Sequence, residues 1–316
     1  MRKNLRIVFL GNPEFARYHL EKILDNGFNV VGVISAPDKR GGRGMKLLST
    51  PVTQYARKKN IKCLQPKNLK SADFQEELAS LNADLQVVIA FRILPVAVWD
   101  MPPLGTYNLH ASLLPQYRGA APINWAIING ETETGVSTFK LKHEIDTGNL
   151  IIQKKCQIET NDTAGTLHDK LMHLGAESIV ETLEQLAIDA VVEQPQQDSD
   201  SLKSAPKLYT ENTRIDWRQK GTDIVNLVRG LCPYPAAHSL LDNKKILIYG
   251  VHFQEIEHSH PKGTYTSDYK KVLGVYVSNG IIWLDDIKLQ GKKRMGIIDF
   301  INGYDSDHLT LFSSIS

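Results

Sequence analysis

The stretch LRIVFLGNPEF (residues 5–15) indicates how the first half of this 316-residue chain folds. Residues 5–10 form an apolar run that only Arg6 interrupts, which is typical of a strand buried within a sheet. The Gly-Asn-Pro turn that follows ends the strand, and its Pro13 suits the first turn of a helix. Residues 14–24 then carry apolar side chains at helical spacing. The stretch therefore predicts a strand, a turn and a helix.

Segments of the same kind continue along the first half of the chain. Strands are predicted at residues 30–34, 85–90, 106–110 and 136–141, and helices at residues 123–128 and 166–187. Such alternation predicts an α/β fold, with a Rossmann-like, mostly parallel sheet covered by helices on both faces. In sheets of this kind, ligands bind beyond the carboxyl ends of the strands.

The sequence changes character after the long helix. Residues 191–207 are polar and rich in Pro, Ser and Gln, which is typical of a linker. Beyond them, short strands separated by turns are predicted at residues 245–249, 271–277 and 281–284. We therefore predict a catalytic domain at residues 1–190 and, after the linker, a smaller five-stranded OB-like β-barrel at residues 208–316.

The composition is that of an ordinary globular protein. Hydrophobic residues make up 42% of the chain and charged residues 23%, and the net charge of +2 gives no global basic field that would demand nucleic acid. Three cysteines, odd in number and far apart, argue against a disulfide framework or a zinc site and fit a cytoplasmic location. Because no apolar stretch approaches the roughly 18 residues of a membrane span, we expect no membrane association.

Asn108 and His110 lie two positions apart at the end of a predicted strand, so their side chains point to the same side. An Asn amide can donate a hydrogen bond to an oxyanion, and a His titrates near neutral pH. The stretch EIDTG (residues 144–148) brings the carboxylate of Asp146 to a neighbouring strand end. Taken one at a time, these patterns fit ordinary strand-end hydrogen bonding or a turn at least as well as they fit catalysis.

The stretch SLLPQYRGAAP (residues 112–122) follows the Asn-His pair directly. Its prolines, its glycine and its small residues predict a fixed loop that presents backbone groups to a ligand. From these residues alone, a rigid connection without a ligand is an equally good interpretation.

A basic loop follows the second predicted strand. The stretch PDKRGGRGMKL (residues 37–47) places four cations among three glycines, and these are Lys39, Arg40, Arg43 and Lys46. The cations suit phosphate contacts, although the spacing is not that of a nucleotide-binding P-loop. A basic surface loop without a ligand is the alternative interpretation.

Together these motifs resemble a known family. The chain resembles the methionyl-tRNA formyltransferases, within the folate-dependent formyltransferases, and the resemblance runs almost from end to end. The motifs that carry it are GNPEF (11–15), PDKRGGRGMKL (37–47), NLHASLLPQYRGAAPINWAI (108–127), DTG (146–148), ENTRIDW (211–217) and RGLCPYPAA (229–237). The resemblance implies formyl transfer from 10-formyltetrahydrofolate to methionyl-initiator tRNA, with no metal ion and no obligate protein partner.

The resemblance also implies a role for individual residues. Asn108 would donate to the formyl oxygen, His110 would stabilise that oxygen and move a proton, and Asp146 would hold His110 in a useful protonation state or position a water. Folate contacts are implied for Phe91, Leu94, Ser112, Leu113, Leu114 and Pro115. Contacts to tRNA are implied for Lys39, Arg40, Arg43 and Lys46, with further contacts from the second domain.

The chain departs from the family pattern at one point. The family often has Ala-Tyr-Gly-x-x-Leu-Pro near the pterin, whereas residues 90–95 read AFRILP, which is one residue shorter. Arg92 stands where the family has a small residue, so the contacts of this segment with the pterin are open.

The same residues leave three alternative functions. A formyltransferase with a small acceptor would share the Asn, His and Asp but should lack the basic loop and the second domain. A nicotinamide-dependent oxidoreductase is disfavoured because no Gly-x-Gly-x-x-Gly follows the first strand. A tRNA-binding protein without catalysis is disfavoured because Asn108, His110 and Asp146 are all present.

Overall fold

The structure is a computed structural model that describes residues 4–41, 46–241 and 243–303. The described chain forms two compact units. The first unit comprises residues 4–118, 135–156 and 170–203. The second unit comprises residues 119–134, 157–169 and 204–303.

The first part of the chain contains the predicted strands and helices, together with strands and helices that were not predicted. In chain order they are β1 (Arg6–Gly11), α1 (Glu14–Asp25), β2 (Asn29–Ile34), β3 (Lys39–Gly41), β4 (Lys46–Leu48), α2 (Pro51–Lys58), β5 (Cys63–Leu64), α3 (Ala72–Ala79), β6 (Leu85–Ile89), α4 (Val96–Trp99), β7 (Thr106–His110), β8 (Arg118–Gly119), α5 (Pro122–Ile128), β9 (Glu133–Lys140), β10 (Leu150–Gln157) and α6 (Ala164–Ala187).

The remaining elements are mostly strands. They are β11 (Ser204–Ala205), a 3-10 turn (Glu211–Thr213), α7 (Gly221–Leu231), β12 (Ala237–Leu241), β13 (Lys244–Glu255), β14 (Tyr265–Ser267), β15 (Leu273–Val277), β16 (Gly280–Leu289), β17 (Met295–Gly296) and α8 (Ile297–Gly303). No helix within the described ranges has the length and apolar character needed to cross a membrane.

The first unit is built on a seven-stranded sheet with the order β10-β9-β7-β6-β1-β2-β5. The strand β1 runs parallel to β2 and β6, β6 runs parallel to β7, and β9 is antiparallel to β7. The prediction of a mostly parallel sheet is confirmed. Because β2 and β6 lie on opposite sides of β1, the order of the strands reverses there, and such a point opens a crevice at the carboxyl ends of the strands.

The central strands are apolar because both of their faces are covered. Every residue of β6 is buried, as are the last five residues of β1. A strand that is buried on both faces gives the continuous apolar run seen at residues 5–10. Beyond β1, the side-chain oxygen of Asn12 accepts from the amide of Ala36 at 2.8 Å, which ties the end of β1 to the end of β2.

The second unit contains an antiparallel sheet with the order β12-β13-β16-β15-β14, and β17 pairs with β16. This arrangement fits the predicted barrel layout but has six strands where the sequence analysis expected five. Its core includes the fully buried Trp217, whose indole N–H donates to the Ser239 hydroxyl at 3.0 Å.

Two strands run well past their predicted ends, and other strands were not predicted. The strand β16 continues to Leu289 and not to residue 284. The strand β13 ends at Glu255 and not near residue 249, because the register shifts at Gly250 and the strand continues beyond that irregularity. The strand β10 was not predicted at all. Its burial changes repeatedly along LIIQKKCQ, so it lacks the long apolar run by which the central strands are recognised.

Candidate active site

The end of β7 places Asn108 and His110 on one face of the sheet. Asn108 pairs with Val88 of β6 and Phe139 of β9, so it lies in the middle of the sheet. The side chain of His110 is only 7% exposed, and it lies on the same face because it is two residues further along the strand. Asn108 is half-buried, and its side-chain amide has no hydrogen-bond partner within the described part of the chain. That amide can therefore donate to a ligand.

The two ring nitrogens of His110 have different surroundings. Nε2 lies 2.8 Å from the carbonyl oxygen of Tyr117, and because a carbonyl can only accept, Nε2 carries a proton and donates it. Nδ1 lies 3.8 Å from Oδ2 of Asp146, which is ion-pair distance but too long for a hydrogen bond. The ring therefore has one nitrogen fixed as a donor, and Nδ1 remains as the nitrogen that can exchange a proton.

Tyr107, the residue between Thr106 and Asn108, plays no part in proton transfer near neutral pH. Its hydroxyl donates to the Leu104 carbonyl at 3.0 Å, and burial raises the pKa of the phenol to about 12. It also points to the opposite face of β7 from Asn108, since successive residues of a strand alternate.

The segment at residues 112–117, the proline loop, follows β7 and is held by side chains of β9 and β10. The Ser137 hydroxyl donates to the Ser112 carbonyl at 2.6 Å and accepts from the Leu114 amide at 3.0 Å. The side-chain amide of Gln153 donates to the Leu114 carbonyl at 2.8 Å. These contacts give the rigid loop that the sequence predicted.

The residues predicted to contact folate fall into two groups. Phe91 and Leu94 follow β6, beside the point where the strand order reverses, and both are half-buried against an apolar cluster of the first unit. The other four residues belong to the proline loop, where Ser112 and Leu114 are buried and Leu113 and Pro115 are half-buried.

Arg92, the departure from the family pattern, has a structural role. Its guanidinium donates to the carbonyls of Pro66 at 2.5 Å and Lys67 at 3.2 Å. It also lies 5.7 Å from the ring centre of Phe91, within cation–π range. Arg92 therefore ties the segment after β6 to the segment after β5.

Asp146 belongs to the segment at residues 144–148, the aspartate loop, which connects β9 to β10. Its φ of 55° lies in the left-handed region, which Asp tolerates better than most residues. The loop returns close to its own strand at Gly148, where an added Cβ would lie 1.8 Å from the Lys140 carbonyl oxygen. Only glycine fits there, so the DTG motif has a steric reason as well as a chemical one.

Two residues that the sequence analysis assigned no role hold this loop. The side-chain amide of Gln196 donates to the carbonyls of Asp146 and Gly148, both at 2.8 Å. The guanidinium of Arg118 donates to the Asp146 carbonyl at 3.2 Å. Arg118 lies within a motif that the sequence analysis quoted, whereas Gln196 lies in the predicted linker, where no pattern distinguishes it.

The basic loop begins with the strand β3 and ends with the strand β4, and the two strands pair as a hairpin. The strands β3 and β4 are antiparallel, with Lys39 opposite Leu48 and Arg40 opposite Leu47. Lys39 and Arg40 are exposed, and the backbone of Lys46 begins β4. Arg43 lies outside the described residues.

Asp38 anchors the base of this hairpin. It accepts from the side-chain amide of Gln65 at 2.8 Å and pairs with Arg57 at 3.0 Å. The hydrogen bond from Gln65, followed by that from Arg57, lowers the pKa of the Asp38 carboxyl. The cations at residues 39 and 40 are therefore presented from a fixed base.

Comparison with known proteins decides the family. The sequence profile described as "Formyl transferase" matches residues 5–183, and the one described as "Formyl transferase, C-terminal domain" matches residues 207–305. The chain belongs to the formyl transferase family. The described residues contain no group of three or more His, Cys, Asp or Glu side chains that could hold a metal ion.

Individual relatives cover nearly the whole chain. The methionyl-tRNA formyltransferase of Flavobacterium johnsoniae is 49% identical over 305 residues, which are 95% of this chain and 96% of its own. The N-formyltransferase from Helicobacter canadensis, solved with folinic acid and dTDP-3-aminofucose, matches with a TM-score of 0.67 at 20% identity and covers 92% of this chain and 100% of that one.

A longer protein contains the same fold. HypX from Aquifex aeolicus, solved with tetrahydrofolic acid, matches with a TM-score of 0.65 at 18% identity. The match covers 95% of this chain and 47% of HypX, so the chain spans about half the length of that protein. At such low identities the two solved structures show a shared fold and carry no argument about the acceptor.

Proposed function

We propose that this formyl transferase moves the formyl group of 10-formyltetrahydrofolate to the amino group of methionyl-initiator tRNA, for translation initiation. The observation that carries the proposal is the 49% identity with a methionyl-tRNA formyltransferase over 95% of the chain, which includes both family domains. Aminoacylated initiator tRNA is used in the cytoplasm, so we propose that compartment. The proposed partners are folate and tRNA, with no obligate protein partner.

The reaction requires a neutral amine, stabilisation of the charged oxygen and a proton for the leaving nitrogen. An α-amino group has a pKa of roughly 8, so part of it is protonated at neutral pH and cannot attack. When the amine attacks the formyl carbon, the carbonyl oxygen gains negative charge and the amine nitrogen must lose a proton. The nitrogen that leaves must gain one. The site therefore needs a hydrogen-bond donor for the oxygen and a group that both accepts and returns a proton.

The end of β7 and the aspartate loop supply these groups. Asn108 donates a side-chain N–H to the formyl oxygen, since that amide has no hydrogen-bond partner among the described residues. His110 uses Nδ1 to accept and return the proton, since its Nε2 is engaged with a backbone carbonyl. The Asp146 carboxylate, 3.8 Å from Nδ1, stabilises the charged ring while it holds that proton.

The remaining assignments follow from location. Folate contacts are proposed for Phe91, Leu94 and the proline loop, because both groups lie beyond the carboxyl ends of parallel strands. Contacts to tRNA are proposed for the exposed Lys39 and Arg40 and for Arg43 and Lys46, because clustered cations suit phosphates. The functional division proposed is a catalytic domain at residues 1–190 and a tRNA-binding domain at residues 208–316. The compact units of the structure have other bounds, since the first extends to residue 203 and the second includes residues 119–134 and 157–169.

A single acceptor screen tests the proposal. The purified chain is given labelled 10-formyltetrahydrofolate with one of three acceptors: methionyl-initiator tRNA, methionyl-elongator tRNA, or a small amine such as an amino-sugar nucleotide. We expect efficient labelling of the initiator tRNA alone. Labelling of the small amine without the tRNA would contradict the proposed acceptor, and labelling of none would contradict formyl transfer.

A further inference from the structure

The segment at residues 193–203, which the sequence analysis assigned to a linker, runs along both loops that flank His110. We infer that this brace segment is a positioning element of the active site, in which Gln196 acts with Arg118 to hold Asp146 beside the histidine. The inference rests on the proposed function, since it assigns a purpose to the position of Asp146. It concerns residues that touch neither folate nor tRNA in the proposed reaction.

The first contact of the brace segment is with the aspartate loop. Both N–H groups of the Gln196 amide are used, since Nε2 lies 2.8 Å from the carbonyl oxygen of Asp146 and 2.8 Å from that of Gly148. These two carbonyls lie on either side of Thr147. A single side chain therefore fixes the backbone immediately after the catalytic carboxylate.

The Gln196 amide is itself held in place. Its oxygen accepts from Nη2 and Nε of Arg118 at 2.6 and 3.0 Å, and the guanidinium also donates to the Asp146 carbonyl. In the stretch of residues 192–201, every residue is exposed except Gln196. The surface segment therefore directs one side chain inward, onto the loop that carries Asp146.

The second contact of the brace segment is with the proline loop. The Lys203 carbonyl accepts from the amide of Tyr117 at 2.7 Å, and the Lys203 amide donates to the Gln116 side chain at 2.8 Å. Tyr117 is the residue whose carbonyl accepts from Nε2 of His110. The brace segment thus holds the groups next to both ring nitrogens, Tyr117 on one side and Asp146 on the other.

The start of the brace segment is fixed to the sheet. Gln194 and Leu150 exchange two backbone hydrogen bonds, of 2.7 and 2.8 Å, at the first residue of β10. Asn149 also donates to the Glu193 carboxylate at 2.9 Å. Gln196 is therefore two residues from a firm attachment, which limits how far it can move away from the aspartate loop.

The conformation of Asp146 explains why a brace is needed. A non-glycine residue in the left-handed region persists only where its surroundings hold it. Rotation of this backbone would carry the carboxylate away from Nδ1 of His110. Because a displacement of a catalytic group by about 1 Å can slow a reaction by about a hundredfold, loss of the brace should lower the rate of the chemical step.

The test uses the full chain and a double-mutant cycle. Gln196→Ala removes both hydrogen bonds to the aspartate loop, and we expect kcat to fall by about tenfold to a hundredfold with little change in KM. If Gln196 acts through Asp146, the substitution should have almost no further effect on kcat in an Asp146→Asn background. Gln197→Ala, at the exposed neighbouring glutamine, serves as the matched control and should behave as the wild type does.

A second variant and a second readout protect the test against simple misfolding. Gln196→Glu keeps the size of the side chain and an oxygen for Arg118 but removes both donors, so the same loss of kcat is expected with the fold intact. Hydrogen exchange of the backbone amides at residues 144–149 should become faster in both Gln196 variants. This readout does not depend on activity, so it tests the brace even if the wild type formylates no tRNA.

Three outcomes would overturn the inference. They are a wild-type kcat in both Gln196 variants, a full additional loss of kcat in the Asp146→Asn background, and unchanged exchange at residues 144–149. A fourth result would separate the two proposals. If the wild type is inactive but hydrogen exchange at residues 144–149 becomes faster in the Gln196 variants, the proposed function is contradicted and the brace is supported as a structural device.

Discussion

The proline loop and the aspartate loop lie on two sides of His110 and are held in opposite ways. The proline loop is fixed from within, because Ser137, the residue that binds it twice, is fully buried. The aspartate loop is fixed from outside, by Arg118 and by Gln196 of an otherwise exposed segment. The start of the proline loop is thus held by the core, whereas the aspartate loop is held by the surface segment, which reaches the proline loop only at its end, through Lys203 and Tyr117.

The two loops should therefore respond differently to substitution. A contact in the core contributes to the stability of the whole unit, so damage to it should lower the free energy of unfolding. A surface contact opens at little cost to the rest of the fold, so damage there should affect the reaction more than the stability. Substitutions in the two loops should therefore separate stability from catalysis.

The largest expected effect is on stability, at Ser137. Ser137→Ala leaves the Ser112 carbonyl and the Leu114 amide without their buried partner, and each such group costs about 1–3 kcal/mol. We expect the free energy of unfolding to fall by about 2–3 kcal/mol, measured by chemical denaturation. Ser178→Ala is the control, since Ser178 is also fully buried but makes one bond within its own helix, to the Leu174 carbonyl. Equal losses in the two variants would contradict the role given to Ser137.

The next largest effect should appear in the aspartate loop, in catalysis. Gly148→Ala places a Cβ 1.8 Å from the Lys140 carbonyl oxygen, so the loop that carries Asp146 must move. We expect kcat to fall by about tenfold or more, while the free energy of unfolding changes by less than it does in Ser137→Ala. Gly303→Ala, where no atom of the described residues lies within 4 Å of the added Cβ, is the control. A Gly148→Ala enzyme with full kcat would show that the position of the loop does not matter.

The smallest effect should come from the charge pair at the outer edge of the brace segment. Asp198 lies 2.9 Å from the Arg118 guanidinium, but its side chain is 72% exposed. Exposed pairs contribute only about 0–1 kcal/mol, so Asp198→Ala should change kcat by no more than about twofold. A loss as large as that of Gln196→Ala would mean that charge, and not the Gln196 amide, holds the aspartate loop.

The fold was predictable from the sequence where burial is complete. The strands β1 and β6 were predicted closely because their covered faces leave apolar-rich runs. The bounds of β7, which has no such run, were also predicted correctly. The strand β10 was missed because an edge strand with mixed burial gives no such run.

The candidate site was only partly predictable. Asn108, His110 and Asp146 were found through motif resemblance, and strand alternation explained why the first two share a face. Gln196 could not be found in this way. It acts through one side-chain amide on backbone carbonyls, which leaves no pattern, and the polar composition around it is typical of a linker.

Asn108→Ala tests whether the end of β7 performs formyl transfer. The measurement is the single-turnover rate of formyl transfer to methionyl-initiator tRNA with saturating donor, beside the affinity of the variant for that tRNA. We expect a rate lower by about a hundredfold or more, with tRNA affinity unchanged, because the amide is assigned to the developing oxyanion alone. A variant that transfers the formyl group at a rate within about twofold of the wild type would contradict that assignment.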